Sequence, residues 1–169
     1  MWWCSNEAWS WAGGGETTAH RWDEVAAVYE RSARQGRKVM REYVLLWSGG
    51  EEWLTLTEEH IEDLAGLGKV FVERVSESLR PKVAAALARG ESYLFPRWGD
   101  GPFVELTAEG VGGDDGVISW HELAAVDVQA GHIVIRGKYG QALVRSWGDT
   151  GNAGMLVAML RSSIANSVS

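Results

Sequence analysis

Cysteine is almost missing from this chain. Cys4 is the only one, so no disulfide can close within a single copy, and zinc sites built on several thiolates are excluded. That usage fits a reducing compartment, and the expected location is the cytoplasm. Long apolar runs are missing too: no stretch reaches the ~20 residues that a membrane-spanning helix needs. The opening MWWCSNEAWSW has no basic segment and no leucine-rich core, so it is not expected to act as a secretory signal. Positive charge is scarce. The 16 basic residues face 23 acidic ones, for a net charge of −7. Up to Gly90 there are 11 basic and 14 acidic residues and beyond it 5 and 9, so the halves carry −3 and −4. Neither has the cationic excess with which nucleic-acid binders neutralise phosphates. Signatures of catalysis are lacking as well. Ser5, Ser48 and Ser119 sit outside any G-x-S-x-G setting, nothing in the sequence marks Cys4 as activated, and the glycine-rich AGGGE at 12–16 is not followed by the Lys-Ser/Thr of a phosphate loop.

What the chain does have is tryptophan, ten in 169 residues. They are spread along its length, which favours packing over a single aromatic box. Hydrophobic residues make up 46% and charged residues 23%, the balance of a globular protein. A chain of this size buries roughly 70% of its unfolded surface and needs no staples.

It also says one thing twice. WDEVAAV, starting at Trp22, returns as WHELAAV, starting at Trp120. Around the first copy, HRWDEVAAVYE (20–30) reads as a strand, although periodicity over so few residues also allows a helix; its mixed face assignment suits a strand buried on both sides or a bulged one. RSARQGRK reads as a turn, VMREYVLLW as a strand, SGGEE as a hairpin loop and WLTL as the return strand. Thr57 is expected to cap a helix with Ile61, Leu64, Leu67, Phe71, Val75 and Leu79 on one face. Pro81 is expected to break or kink it, and Gly90 to end it. In the second half YLF and PFVELT read as strands, AEGVGGDDG as a turn cluster, and VISWHELAAVDVQA as one long strand or a strand pair. HIVIRG and ALVRSW form a hairpin around KYGQ. A terminal helix follows with Met155, Leu156, Met159, Leu160 and Ile164 as its stripe.

Each heptapeptide is thus followed by more strands and then a helix. The expected fold class is α+β: two versions of one unit, residues 1–90 and 91–169, each an antiparallel sheet capped by a helix. Trp22, Trp120, Trp47, Trp147 and Phe71 are the expected core aromatics.

The pattern Trp-x-Glu-aliphatic, then a hairpin, then a closing helix resembles bacterial PH-like (pleckstrin-homology-like) domains. More closely, the chain resembles an uncharacterised family with two tandem PH-like units, in which RWDEV precedes a long helix with an internal proline, as in LRPKVAAALARGE here. TAEGVGGDDGVISWHEL is similar to the start of its second unit. The resemblance runs from His20 to Val168. It implies a bent antiparallel sheet closed by a C-terminal helix, and no catalytic residues. One departure matters. Only about 20 residues precede Arg21, room for two or three short strands at ~3.3 Å per residue. The first unit is therefore expected to be truncated or to borrow a strand, and a homodimer would cover Trp2, Trp3, Trp9 and Trp11.

Candidate chemistry is sparse. Arg31, Arg34, Arg37, Lys38 and Arg41 form the one basic cluster, able to take a lipid headgroup, a phosphate or an acidic protein patch, or merely to solubilise a loop. His121 and His132, with Asp127 or Glu122, are the one metal possibility, and they underlie the alternative of a metal-dependent enzyme; His20 and His60 join no ligand spacing. GDDG (113–116) lacks the further ligands of a calcium loop and reads as a turn. The expectation is a non-enzymatic binding or scaffold module without cofactor. Its partner is expected to be a protein rather than nucleic acid, recognised at a sheet edge or at the basic loop; peripheral binding to anionic lipid is the rival.

Overall fold

The computed structural model describes residues 2–5, 7–13, 16–48, 53–59 and 61–167. His60, parts of the AGGGE and SGGEE loops, and the side chains of Trp2, Trp3 and Trp11 lie outside the described part. The fold is α+β, with antiparallel sheets and two helices.

The first half holds β1 (Trp2–Cys4), β2 (Ala8–Gly13) and β3 (Glu16–Arg21) in one sheet. A second sheet holds β4 (Val25–Gln35), β5 (Lys38–Trp47) and β6 (Trp53–Thr57), and α1 (Leu64–Ala88) packs on β4. The second half has β7 (Tyr93–Phe95), β8 (Val104–Leu106), β9 (Gly110–Gly113) and β10 (Gly116–Ser119) in one sheet. Its other sheet has β11 (Leu123–Gln129), β12 (His132–Gly137) and β13 (Ala142–Ser146), and α2 (Ala153–Ser167) packs on β11.

The repeated heptapeptide builds the same corner twice. The Trp22 backbone N–H donates to Glu7 O and its indole Nε1 to Ser5 O; Trp120 does the same to Glu109 O and Thr107 O. The hydroxyls of Ser5 and Thr107 each accept from the two N–H groups that follow across the turn. Strand pairing then slips between Val25 and Ala27, and again between Leu123 and Ala125. The bulge explains the mixed faces of β4: Val25 and Val28 enter the core under α1, while Ala27 and Tyr29 enter a smaller cluster with Val44, Leu46 and Trp98.

Four local expectations are corrected. Strand does not run through Trp22–Glu24, which forms a single 3-10 turn; the Glu24 carboxylate accepts from the Arg21 N–H and the chain changes sheets there. Thr57 ends β6 instead of capping α1. The cap is Asp63, whose side chain accepts from Gly66 N at 3.0 Å. Pro81 does not break α1, because it and Glu77, whose carbonyl loses its partner, both face solvent. AEGVGGDDG is not all turn: Gly110–Gly113 is a strand, made possible by close approach, since a Cβ on Gly110 would overlap Ile118 O and one on Gly113 the Arg145 guanidinium.

One core joins the halves, running from Trp9 and Phe71 through Val104 and Ile135 to Leu160. Among the described residues no helix is long and apolar enough to cross a membrane.

Candidate functional site

The hairpin β4–β5 pairs Arg31 with Glu42, Ser32 with Arg41, Arg34 with Val39 and Gln35 with Lys38. Gly36 takes φ +62 at the first of its two turn positions, which suits a tight hairpin turn. This register divides the five basic residues. Arg31 is committed: it reaches Glu42 at 3.3 Å and lies 4.5 Å above the Trp98 ring. Arg34, Arg37, Lys38 and Arg41 are exposed, and none makes an ion pair with a described residue. Val39, between them, is 61% exposed.

On the helix-side face of the hairpin a cleft of about 320 Å³ is lined by Glu30, Arg31, Ser32, Arg41, Glu42, Tyr43 and Trp147. Glu30 is half-buried there. Burial pushes its carboxyl up, while hydrogen bonds from Trp147 and Tyr43 and the charge of Arg41 pull it back. Burial, then the neighbouring Glu30, raises the Tyr43 phenol. On the opposite face burial pushes Tyr29 up to about 12. Composition gave no hint of this cleft: Glu30 and Trp147 lie far apart in the chain and meet only because residues 147–152 run back along β4.

The expected core aromatics are packed, unevenly. Trp22 is 4% exposed and Phe71 is fully buried, while Trp47, Trp120 and Trp147 lie against the core half-covered. Trp9 needs no second chain to cover it: it is 1% exposed, stacked on His20 at 4.9 Å and edge-on to Trp47 and Phe71. That places His20 in a ring cluster.

The metal alternative does not assemble. His121 precedes β11, whereas His132 pairs with Gln129 at that strand's far end, on the order of 20 Å away at ~3.3 Å per residue. Asp127 is bound to Arg136, and Glu122 accepts from the Ser119 hydroxyl at 2.7 Å. Among the described residues no three His, Cys, Asp or Glu side chains gather around a possible ion. The GDDG carboxylates hold the fold: Asp114 accepts from Phe103 N, and Asp115 pairs at 2.9 Å with Arg145, which is 1% exposed. Sequence reasoning missed Arg145 because inward alternation on β13 was its only signal.

The fold and this surface define an α+β protein of small antiparallel sheets closed by helices, with a basic hairpin beside a half-buried carboxyl. The chain belongs to DUF6585, a family of unknown function, whose pattern matches residues 12–163, from β2 into α2. No curated protein matches it.

Proposed function

We propose that the chain is a non-enzymatic binding module of two tandem PH-like units, residues 1–90 and 91–169, which recognises an acidic, extended segment of a protein partner at the β4–β5 hairpin. The twin tryptophan corners, the paired bulges and the closing helix of each half support the tandem reading. One observation carries the binding site: four exposed basic side chains, Arg34, Arg37, Lys38 and Arg41, share a hairpin in a chain of net charge −7. Such a local reversal of charge steers an acidic partner to one place.

The test is fluorescence anisotropy with a labelled peptide of alternating Asp and Thr. Saturable binding is expected at about 50 mM NaCl, lost at about 500 mM, where the Debye length falls to a few Å. The pair Arg37→Gln and Lys38→Gln weakens it severalfold. Absence of binding to the wild-type protein at low salt rejects the reading.

A further inference from the structure

We infer that the cleft between Glu30 and Arg41 seats a carboxylate side chain of the acidic segment, and that Glu30 acts as a built-in brake on its binding; the inference rests on the reading proposed above. The register places Ser32 directly opposite Arg41 and Glu30 directly opposite Tyr43. Period-two alternation therefore puts all four on one face. Arg34 stands on the same face, diagonal to Arg41 and within reach of a long side chain. Arg41 and the Ser32 hydroxyl thus offer donors from opposite strands to one incoming carboxylate.

Arg41 is available to it. Its charge acts on Glu30, yet the two form no ion pair, and the cleft lies between them. Glu30 is half-buried against Trp147 and Tyr43, which line the cleft beside it, whereas Arg41 is exposed. Glu42, the other carboxylate nearby, is taken by Arg31. An extended segment also has a place to lie. Residues 147–152 follow the outer edge of β4 as far as Arg31: Asn152 bonds Ala26 and Val28, and a Cβ on Gly148 would lie 3.4 Å from Glu30 O and 3.7 Å from Arg31 Cα. Among the described residues no backbone bond occupies that edge further along β4.

Two carboxylates in one cleft repel. Glu30 therefore lowers affinity, and removing its charge raises it by about threefold or more at low salt. The test uses the full chain and the labelled Asp/Thr peptide at about 50 mM NaCl, with melting curves to confirm that each variant folds. Arg41→Gln is expected to weaken binding by about fivefold or more, Ser32→Ala to weaken it less, and Glu30→Gln to tighten it. If Arg37→Gln with Lys38→Gln weakens binding while Arg41→Gln and Glu30→Gln match wild type, the cleft inference fails and the hairpin reading stands. If Glu30→Gln weakens binding, the brake is overturned. If the protein ignores the peptide but sediments with phosphatidylserine vesicles in an Arg41-dependent way, the ligand is lipid and both statements fall.

Discussion

Glu30 shows how a single side chain can be set by its surroundings. An exposed glutamate on a strand would titrate in the ordinary range; here burial, only partly offset by Trp147, Tyr43 and Arg41, raises it. The sign of the effect on stability follows. Below the ordinary carboxylate range the group is protonated whether the chain is folded or not, and it costs nothing. As pH rises through that range toward the raised folded-state value, the folded protein must bury a charge that the unfolded chain keeps solvated, so stability falls. Glu30→Gln is therefore expected to melt within a degree or so of wild type at about pH 4 and several degrees above it at about pH 7.5. Thermal melts followed by circular dichroism at both pH values check this. A variant less stable than wild type at the higher pH would mean that the hydrogen bonds from Trp147 and Tyr43 outweigh the cost of the charge.

At the level of elements, α1 and β9 both depart from what local propensity suggests. A proline inside a helix removes one backbone bond and crowds the preceding turn, at about 3 kcal/mol relative to alanine. The helix survives because its apolar face, from Leu64 and Phe71 through Val75 and Leu79 to Val83, is buried along its length and holds the backbone on either side of Pro81. Pro81→Ala restores an N–H donor to Glu77 O on an exposed face and disturbs no core contact. It is expected to raise stability by about 1–2 kcal/mol, less than the full proline cost because a carbonyl on an exposed face is open to solvent. Urea denaturation measures this, and an unchanged midpoint would show that the helix already bends without strain there. The strand β9 carries the opposite lesson: its glycines were legible as residues, but a neighbour's carbonyl and a buried guanidinium make them necessary, and both come from elsewhere in the chain.

Across the whole molecule, the halves are locked together at Asn152. It sits at φ +57 and is 4% exposed; its side chain accepts from Val28 N at 3.0 Å and donates to Ala26 O at 2.9 Å, and its own N–H reaches Val28 O at 2.9 Å. The edge of β4 in the first half is thus satisfied by a residue of the second. Asn152→Ala would leave a buried N–H and a half-buried carbonyl without their partner and force alanine into a left-handed backbone, for a loss of about 2–4 kcal/mol. Asn152→Gly avoids the backbone part and should lose about 1 kcal/mol less. With a single core spanning both halves, calorimetry of the wild-type protein is expected to give one transition whose calorimetric and van 't Hoff enthalpies agree. Two resolved transitions would mean that the halves fold independently.

The amino-acid sequence by itself determined most of the elements and the repetition. Alternating and helical patterns, the glycine at the hairpin turn and the WDEVAAV and WHELAAV copies depend on neighbours close in the chain, and those are written in order. It also determined that five basic residues share one short stretch. Only the tertiary structure decided which of them are free, because Arg31 is claimed by Glu42 across the hairpin and by Trp98 from the other half of the chain. The same holds for the cleft at Glu30, for the separation of His121 from His132, and for the burial of Arg145. Each depends on strand register or on a return of the chain across many residues, and such contacts are set by how whole surfaces pack.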